Sequence, residues 1–290
     1  MNHHGGPAVS SRVGRQFVRR SAGGNRQAAW GPHNGGVTET TTLLPLPLLP
    51  DRRVRLEGPL NFRDLGGYLT RDGGMVSWRQ VFRSDSLESA TRADVDIIVD
   101  DLQIKTVIDL RTDGEIERTA ARSRRLPGVE TCHLPLVDRP GFADPMFFPG
   151  VGLDELYLLI LHRSAERIID ALRLVADVPR PLVFHCSAGK DRTGLVAATL
   201  LGVLGVGDDD IVRDYAVSSY AMAGLVERLR GGHPASGSTV LPPAAYEAEP
   251  ASMRTVLGDL RHRHGAVVGY ATDHGLPFEV VRRLRAELVE

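Results

Sequence analysis

Cys186 and Arg192 stand six positions apart in the run His185-Cys186-Ser187-Ala188-Gly189-Lys190-Asp191-Arg192-Thr193-Gly194. A thiolate is a strong nucleophile, and a guanidinium is a planar fork that matches two oxygens of a phosphoryl group. Attack of Cys186 on phosphorus would give a phosphocysteine that water then hydrolyses. Ser187, Ala188, Gly189, Lys190, Asp191 and Arg192 would supply a cradle of backbone amides, with Gly189 allowing close backbone approach. The Thr193 hydroxyl can hydrogen-bond the thiolate and ease its departure. His185 reads as a brace for the loop rather than as a base. The leaving oxygen needs a proton. Asp191, inside the loop, is the first candidate to give it, and Asp85 and Asp138 are rivals on other loops.

This chemistry needs a strand, a tight loop and a helix in that order, because a helix N-terminus and nested amides favour negative charge. The flanks provide them. Residues 181–185 read as a strand, and Gly194 to Val206 as an apolar helix. From Asp51 onward, strand and helix patterns alternate. Val54-Arg55-Leu56 and Val81-Phe82 are short β-like pieces. Thr91 and Asp94 have capping-box spacing, opening a helix toward Leu102. Lys105 to Leu110 and Val129 to Leu134 read as strands. Helices are expected over 113–123, 153–176, 209–229, 250–264, 266–274 and 277–288, with a Gly/Pro/Ser-rich loop over 231–243. Alternation followed by a helical run predicts an α/β sandwich with a central, largely parallel sheet.

A nucleotide-binding P-loop is excluded, because Asp191 follows the lysine where Ser or Thr is required. Zinc is a poor reading: there is no C-x-x-C, and His262 and His264 read as surface. Hydrophobic residues make up 42% of the 290 and charged residues 24%, with a net charge of −1, so nothing draws the chain to nucleic acid. Two cysteines make no disulfide framework, which points to a reducing, cytoplasmic compartment. Cys132 reads as core, with a resolving thiol for oxidised Cys186 as the alternative. Residues 1–50 are rich in Gly, Pro, Ser and Arg and read as a disordered tail ahead of one catalytic domain over 51–290. A transit peptide is the alternative for that tail, and a secretory signal is not expected. The Leu43–Pro50 run is too short and interrupted to span a bilayer. Only Lys105 and Lys190 among the 35 basic residues are lysine, so a lysine inside the loop stands out.

The loop resembles the signature of cysteine-dependent phosphatases. Its Gly-Lys-Asp-Arg-Thr-Gly form resembles the bacterial tyrosine phosphatase branch that includes the mycobacterial secreted phosphatase B and the listerial lipid phosphatase. Asn61 to Tyr68 (NFRDLGGY), Phe82 to Asp85, Val107 to Arg111, Asp214-Tyr215 and Tyr270 with Gly275 extend the likeness over about residues 54–288. The resemblance implies a tyrosine-phosphatase-like sandwich with a helical C-terminal region and no metal or other cofactor. It implies Cys186 as nucleophile, Arg192 as phosphate binder and Asp191 as general acid. Arg63 and Asp64 are even candidates for lining the site or holding a turn. Lys190 resembles a lysine that binds extra phosphates in lipid phosphatases. Expected substrates are thus phosphotyrosine in proteins, with phosphoserine and phosphothreonine beside it, or else phosphoinositides. A phosphate-binding module without turnover is the remoter alternative. A helical lid is placed over residues 215–250.

Overall fold

In the computed structural model, residues 51–120, 126–137, 151–231 and 247–290 are described. Five strands form one sheet: β1 (Arg63–Asp64), β2 (Val81–Ser84), β3 (Thr106–Asp109), β4 (Glu130–His133) and β5 (Leu182–His185). Their order is β1-β2-β5-β3-β4, with β1 antiparallel to β2 and every other neighbouring pair parallel. Strand β5 is central and buried at every position. Its side chains alternate between faces, as a pleated strand requires. Leu182 and Phe184 enter the larger core, and Val183 enters a smaller one with Phe62, Phe82, Ile98, Leu102, Ile104 and Val107. Both faces are therefore covered, as expected for a largely parallel sheet.

Helix α1 (Arg92–Asp96) leads into a π-helical turn over Ile97–Asp101, whose Ile97 and Ile98 pack into the smaller core. Thr91 and Asp94 form the expected capping box. A short helix, α2 (Asp113–Thr119), follows β3. The larger core is built by α3 (Leu153–Arg163), α4 (Ala165–Asp177), α5 (Asp191–Leu204), α6 (Asp208–Val217), α8 (Pro250–His264), α9 (Val267–Asp273) and α10 (Phe278–Leu288). Helix α7 (Ser219–Gly231) instead packs Ala221, Met222 and Leu225 against Ala188 of the loop. Helix α5 follows β5 directly and is buried at every residue but Asp191 and Gly202. A helix apolar all round belongs in a core. Gly205, at φ 96°, closes it in the left-handed conformation.

Four expectations are corrected. Val54-Arg55-Leu56 forms no strand. The edge partner of β2 is Arg63–Asp64, and residues 54 and 56 pack on the smaller core instead. The continuous helices expected over 153–176 and 209–229 each break, at Ser164, where α4 turns so that it too packs on α5, and at Ser218, where α7 leaves the larger core for Ala188 of the loop. Helix α5 starts at Asp191, three residues before Gly194, so Asp191, Arg192 and Thr193 are its first turn. The tail over 1–50, residues 232–243 of the expected mobile loop, residues 121–123 of the helix expected over 113–123, and residues 232–246 of the expected lid lie outside the described residues. Among the described residues, no helix is long and apolar enough to cross a membrane.

Candidate active site

The loop between β5 and α5 is held from outside by its carbonyls. Cys186 O lies 3.2 Å from His185 Nδ1, and Ser187 O accepts from Ser86 N at 3.1 Å. Ala188 O accepts from Asn61 Nδ2 at 3.0 Å, and Gly189 O from Arg83 Nη2 at 2.7 Å. In a planar trans peptide the N–H points opposite the C=O. Four successive carbonyls turned outward therefore turn the amides of residues 187–190 the other way, which builds an anion cradle. Gly189 has φ +66°, and a Cβ there would lie 2.4 Å from Ser84 O and 2.5 Å from Asp85 N. Glycine is needed because the loop is pressed onto the end of β2, not only for approach to a ligand.

Cys186 is 1% exposed. Burial works against the Arg192 charge, but the Cys186 sulfur and then Glu115 hold the guanidinium protonated more firmly than usual. Cys186 and Arg192 are thus electrostatically coupled. Arg192 forms a fork on Glu115, with Nη1–Oε2 at 2.6 Å and Nη2–Oε1 at 2.7 Å. Ser187 Oγ donates to the same carboxylate at 2.5 Å. A guanidinium has five N–H donors, and Glu115 takes two, so three remain for a phosphoryl group. Burial opposes the charge of Glu115 too, but Arg192, Ser187 and the Thr112 amide bring its carboxyl down to about 2. Thr193 Oγ1 is buried with no hydrogen-bond partner. An uncommitted buried hydroxyl is uncommon and asks for a role.

Asp191 accepts a 2.6 Å hydrogen bond from Tyr157 Oη and lies 3.6 Å from Lys190 Nζ. Lys190 is itself buried, and its ammonium donates to Glu247 O at 3.2 Å. His185 is fully enclosed, and burial depresses its basicity against the pull of Asp109. Its Nε2 is 3.8 Å from Asp109 Oδ2, and Asp109 is forked by Arg111.

Arg63 is spent on a buried network: it donates to Asp214 Oδ1 at 3.0 Å, Asn61 Oδ1 at 2.5 Å and Ser218 Oγ at 3.1 Å. Arg83 joins it on Asp214 Oδ2 at 2.5 Å. Arg63 therefore braces the elements behind the loop, where the sequence left lining of the site open. Asp64 holds a turn, accepting from the Gly66 and Arg79 amides at 2.7 and 2.8 Å. Both its oxygens are committed locally, away from any substrate. Asp85 is wholly buried beneath Gly189, where it accepts from Asn61 N at 2.8 Å, and Asp138 lies outside the described residues. Cys132 pairs with Ile108, which pairs with Phe184. Two strand spacings, roughly 9–10 Å, separate it from β5. A disulfide spans at most about 7 Å between Cα atoms, so the resolving role would need the backbone to move. Sequence reasoning missed Glu115 and Tyr157. Glu115 had a signal in its Thr112-x-x-Glu115 capping-box spacing. Tyr157 had none beyond its place on an apolar helix face.

A buried thiol in an amide cradle, followed by a forked guanidinium at the start of a buried helix, makes a cysteine-centred anion-binding loop. The chain belongs to the tyrosine phosphatase family, whose model matches residues 54–290. It is 34% identical over 179 residues to a Cupriavidus necator protein bearing the tyrosine-protein phosphatase name, a match covering 55% of this chain and 60% of that one. It is 29% identical over 231 residues to a tyrosine-protein phosphatase of Nostoc commune, covering 71% and 73% of the two chains. It is 29% identical over 148 residues to the triple specificity protein phosphatase PtpB of Mycobacterium tuberculosis, covering 47% and 54%. The match thus spans little more than half of the Cupriavidus and mycobacterial relatives.

Proposed function

We propose that this protein hydrolyses phosphate monoesters of proteins, phosphotyrosine first among them, through a phosphocysteine on Cys186. The observation that carries this reading is the buried Cys186 at the head of an outward-pinned loop that runs into the Glu115-forked Arg192. In the first step Sγ of Cys186 attacks phosphorus, the ester P–O bond breaks, and Asp191 gives the leaving oxygen its proton. The amides of 187–190 and the three remaining N–H groups of Arg192 hold the equatorial oxygens as charge shifts among them. In the second step water attacks phosphorus, Asp191 takes a proton from it, and Sγ leaves as thiolate toward the Thr193 hydroxyl. Each step is supplied by this chain's own side chains, all within residues 51–290, which we assign as the catalytic unit. We place the activity in a reducing, cytoplasmic setting, where Cys186 and Cys132 stay the free thiols they are here.

The phosphoinositide reading rested on Lys190. Its ammonium is turned to Glu247 O and Asp191, which favours a role in ordering the loop over recruitment of extra phosphates. The test is turnover of p-nitrophenyl phosphate in chelator, with Cys186→Ser as control, followed by a phosphotyrosine peptide beside a soluble phosphoinositide. Cys186-dependent turnover with peptide preferred supports the reading. No Cys186-dependent turnover points to a binding module, and a large preference for the lipid headgroup overturns the substrate assignment.

A further inference from the structure

Asp191 is held from behind by a buried pair of phenols. Tyr157 Oη donates to Asp191 Oδ1 at 2.6 Å, and the Tyr157 and Tyr215 hydroxyl oxygens are 2.7 Å apart. A phenol has one proton to donate. Tyr157 spends its proton on Asp191, so Tyr215 must donate to Tyr157. Both side chains are essentially fully buried, and their rings meet edge to face with centroids 5.8 Å apart. Burial, then the Asp191 charge, pushes both phenols well above the ordinary tyrosine range, so both remain donors at any working pH. The three residues come from three helices: Tyr157 from α3, Tyr215 from α6 and Asp191 from the first turn of α5. A Cβ at Gly194 would stand 3.2 Å from the Tyr215 ring, so glycine there lets Tyr215 sit on α5 without a shift of a few tenths of an ångström.

We propose that Tyr157, backed by Tyr215, is a positioning residue for proton transfer by Asp191, an inference that rests on the phosphatase reading above. With Oδ1 occupied by Tyr157, Oδ2 is the oxygen that carries the proton toward the substrate. That proton passes from Oδ2 to the leaving oxygen as the P–O bond breaks and the Sγ–P bond forms. In the second step Oδ2 recovers a proton from water, as the water oxygen bonds to phosphorus and Sγ departs with its electron pair. A hydrogen bond is stronger to a carboxylate than to a carboxylic acid. The Tyr157 bond therefore tightens as Asp191 loses its proton, which stabilises the transition state rather than the ground state. The benefit is largest for leaving groups that most need the proton.

The experiment compares wild type, Tyr157→Phe, Tyr215→Phe, Asp191→Asn and the Tyr157→Phe/Asp191→Asn pair on p-nitrophenyl phosphate and phenyl phosphate. Tyr157→Phe is expected to lower kcat/KM on phenyl phosphate, which reports the step that expels the leaving group, by about tenfold to a hundredfold, the rate equivalent of one hydrogen bond to a charged group. On p-nitrophenyl phosphate it should cost less than about threefold, and in the Asp191→Asn background it should add nothing. Equal losses on both substrates, or a loss that multiplies with that of Asp191→Asn, overturn the proposal. The ratio of the two substrates cancels any inactive fraction of a preparation. Should Tyr157→Phe not fold, the same ratio on Tyr215→Phe decides: a shift of about twofold to fivefold against phenyl phosphate supports the relay, and an unchanged ratio overturns it. A wild-type protein with no Cys186-dependent turnover overturns the phosphatase reading itself, whatever the tyrosines do.

Discussion

Two carboxylates beside the loop are pushed in opposite directions, and each has a measurable consequence. Glu115 is held ionised by Arg192, and its fork fixes the guanidinium that, on the proposed function, binds the phosphoryl group. Glu115→Gln keeps the shape and removes the charge. We expect kcat/KM to fall about tenfold to a hundredfold, mostly through KM, because a bidentate charge-assisted pair is worth a few kcal/mol. Steady-state kinetics on a phosphotyrosine peptide check this, and unchanged kcat/KM would remove Glu115 from the site. Asp85 is the reverse case. Burial raises its carboxyl to about 6 against hydrogen bonds from the Asn61 and Leu60 amides, and its Oδ2 has no partner. Between the unfolded value and about 6 the native state binds more protons than the unfolded one, so stability drops as pH rises through that window. A two-unit shift corresponds to roughly 3 kcal/mol. Asp85→Asn should abolish that slope, read by urea denaturation from pH 4 to 7. Parallel curves for the two proteins would refute the assignment.

The elements meet where the loop, β2 and the first turn of α5 touch. Gly189 sits against Ser84 O with a positive φ, so both the space and the backbone conformation demand glycine there. Gly189→Ala should leave the sheet and helices formed while tilting the cradle. We expect at least a hundredfold loss of kcat/KM, about 3 kcal/mol of transition-state stabilisation, with an unaltered far-ultraviolet spectrum. Activity within threefold of wild type would mean that the loop tolerates a shift away from β2. Helix α2 is an element of another kind. It buries no residue and is tied through the Thr112–Glu115 capping box and the Glu115 fork. Its pattern made it legible as a helix over 113–123, but nothing in that pattern says that Glu115 meets Arg192.

At the scale of the whole molecule, Asp214 ties α6 to β1 through Arg63 and to β2 through Arg83, all nearly solvent-free. Arg83 in turn holds Gly189 O, so the same node steadies fold and loop. Removing one partner of a buried ion network leaves charge uncompensated, which costs about 3–5 kcal/mol. Asp214→Ala should lose that much by chemical denaturation and Asp214→Asn less. A change below about 1 kcal/mol for Asp214→Ala would show that the two arginines find other partners.

By itself the sequence determined the order of the central elements. Strands at 106–109, 130–133 and 182–185 and helices at 250–264 and 278–288 fall within two residues of their patterns, because burial imposes a period on local sequence. It also put the candidate nucleophile Cys186 and the candidate phosphate binder Arg192 in one loop, since both lie within ten consecutive residues. Tertiary structure decided the rest. The breaks at Ser164 and Ser218 interrupt no apolar period, and the edge pairing of Arg63–Asp64 carries no apolar alternation. Arg63, Asp64 and Asp85 are as polar in a turn or a buried network as they would be in a site, and only their partners tell these apart. Glu115 reaches Ser187 and Arg192 from 72 and 77 residues away, Tyr157 reaches Asp191 from 34, and Tyr215 reaches Tyr157 from 58. Contacts made across such distances are set by how helices pack on the sheet, and no local pattern along the chain encodes them.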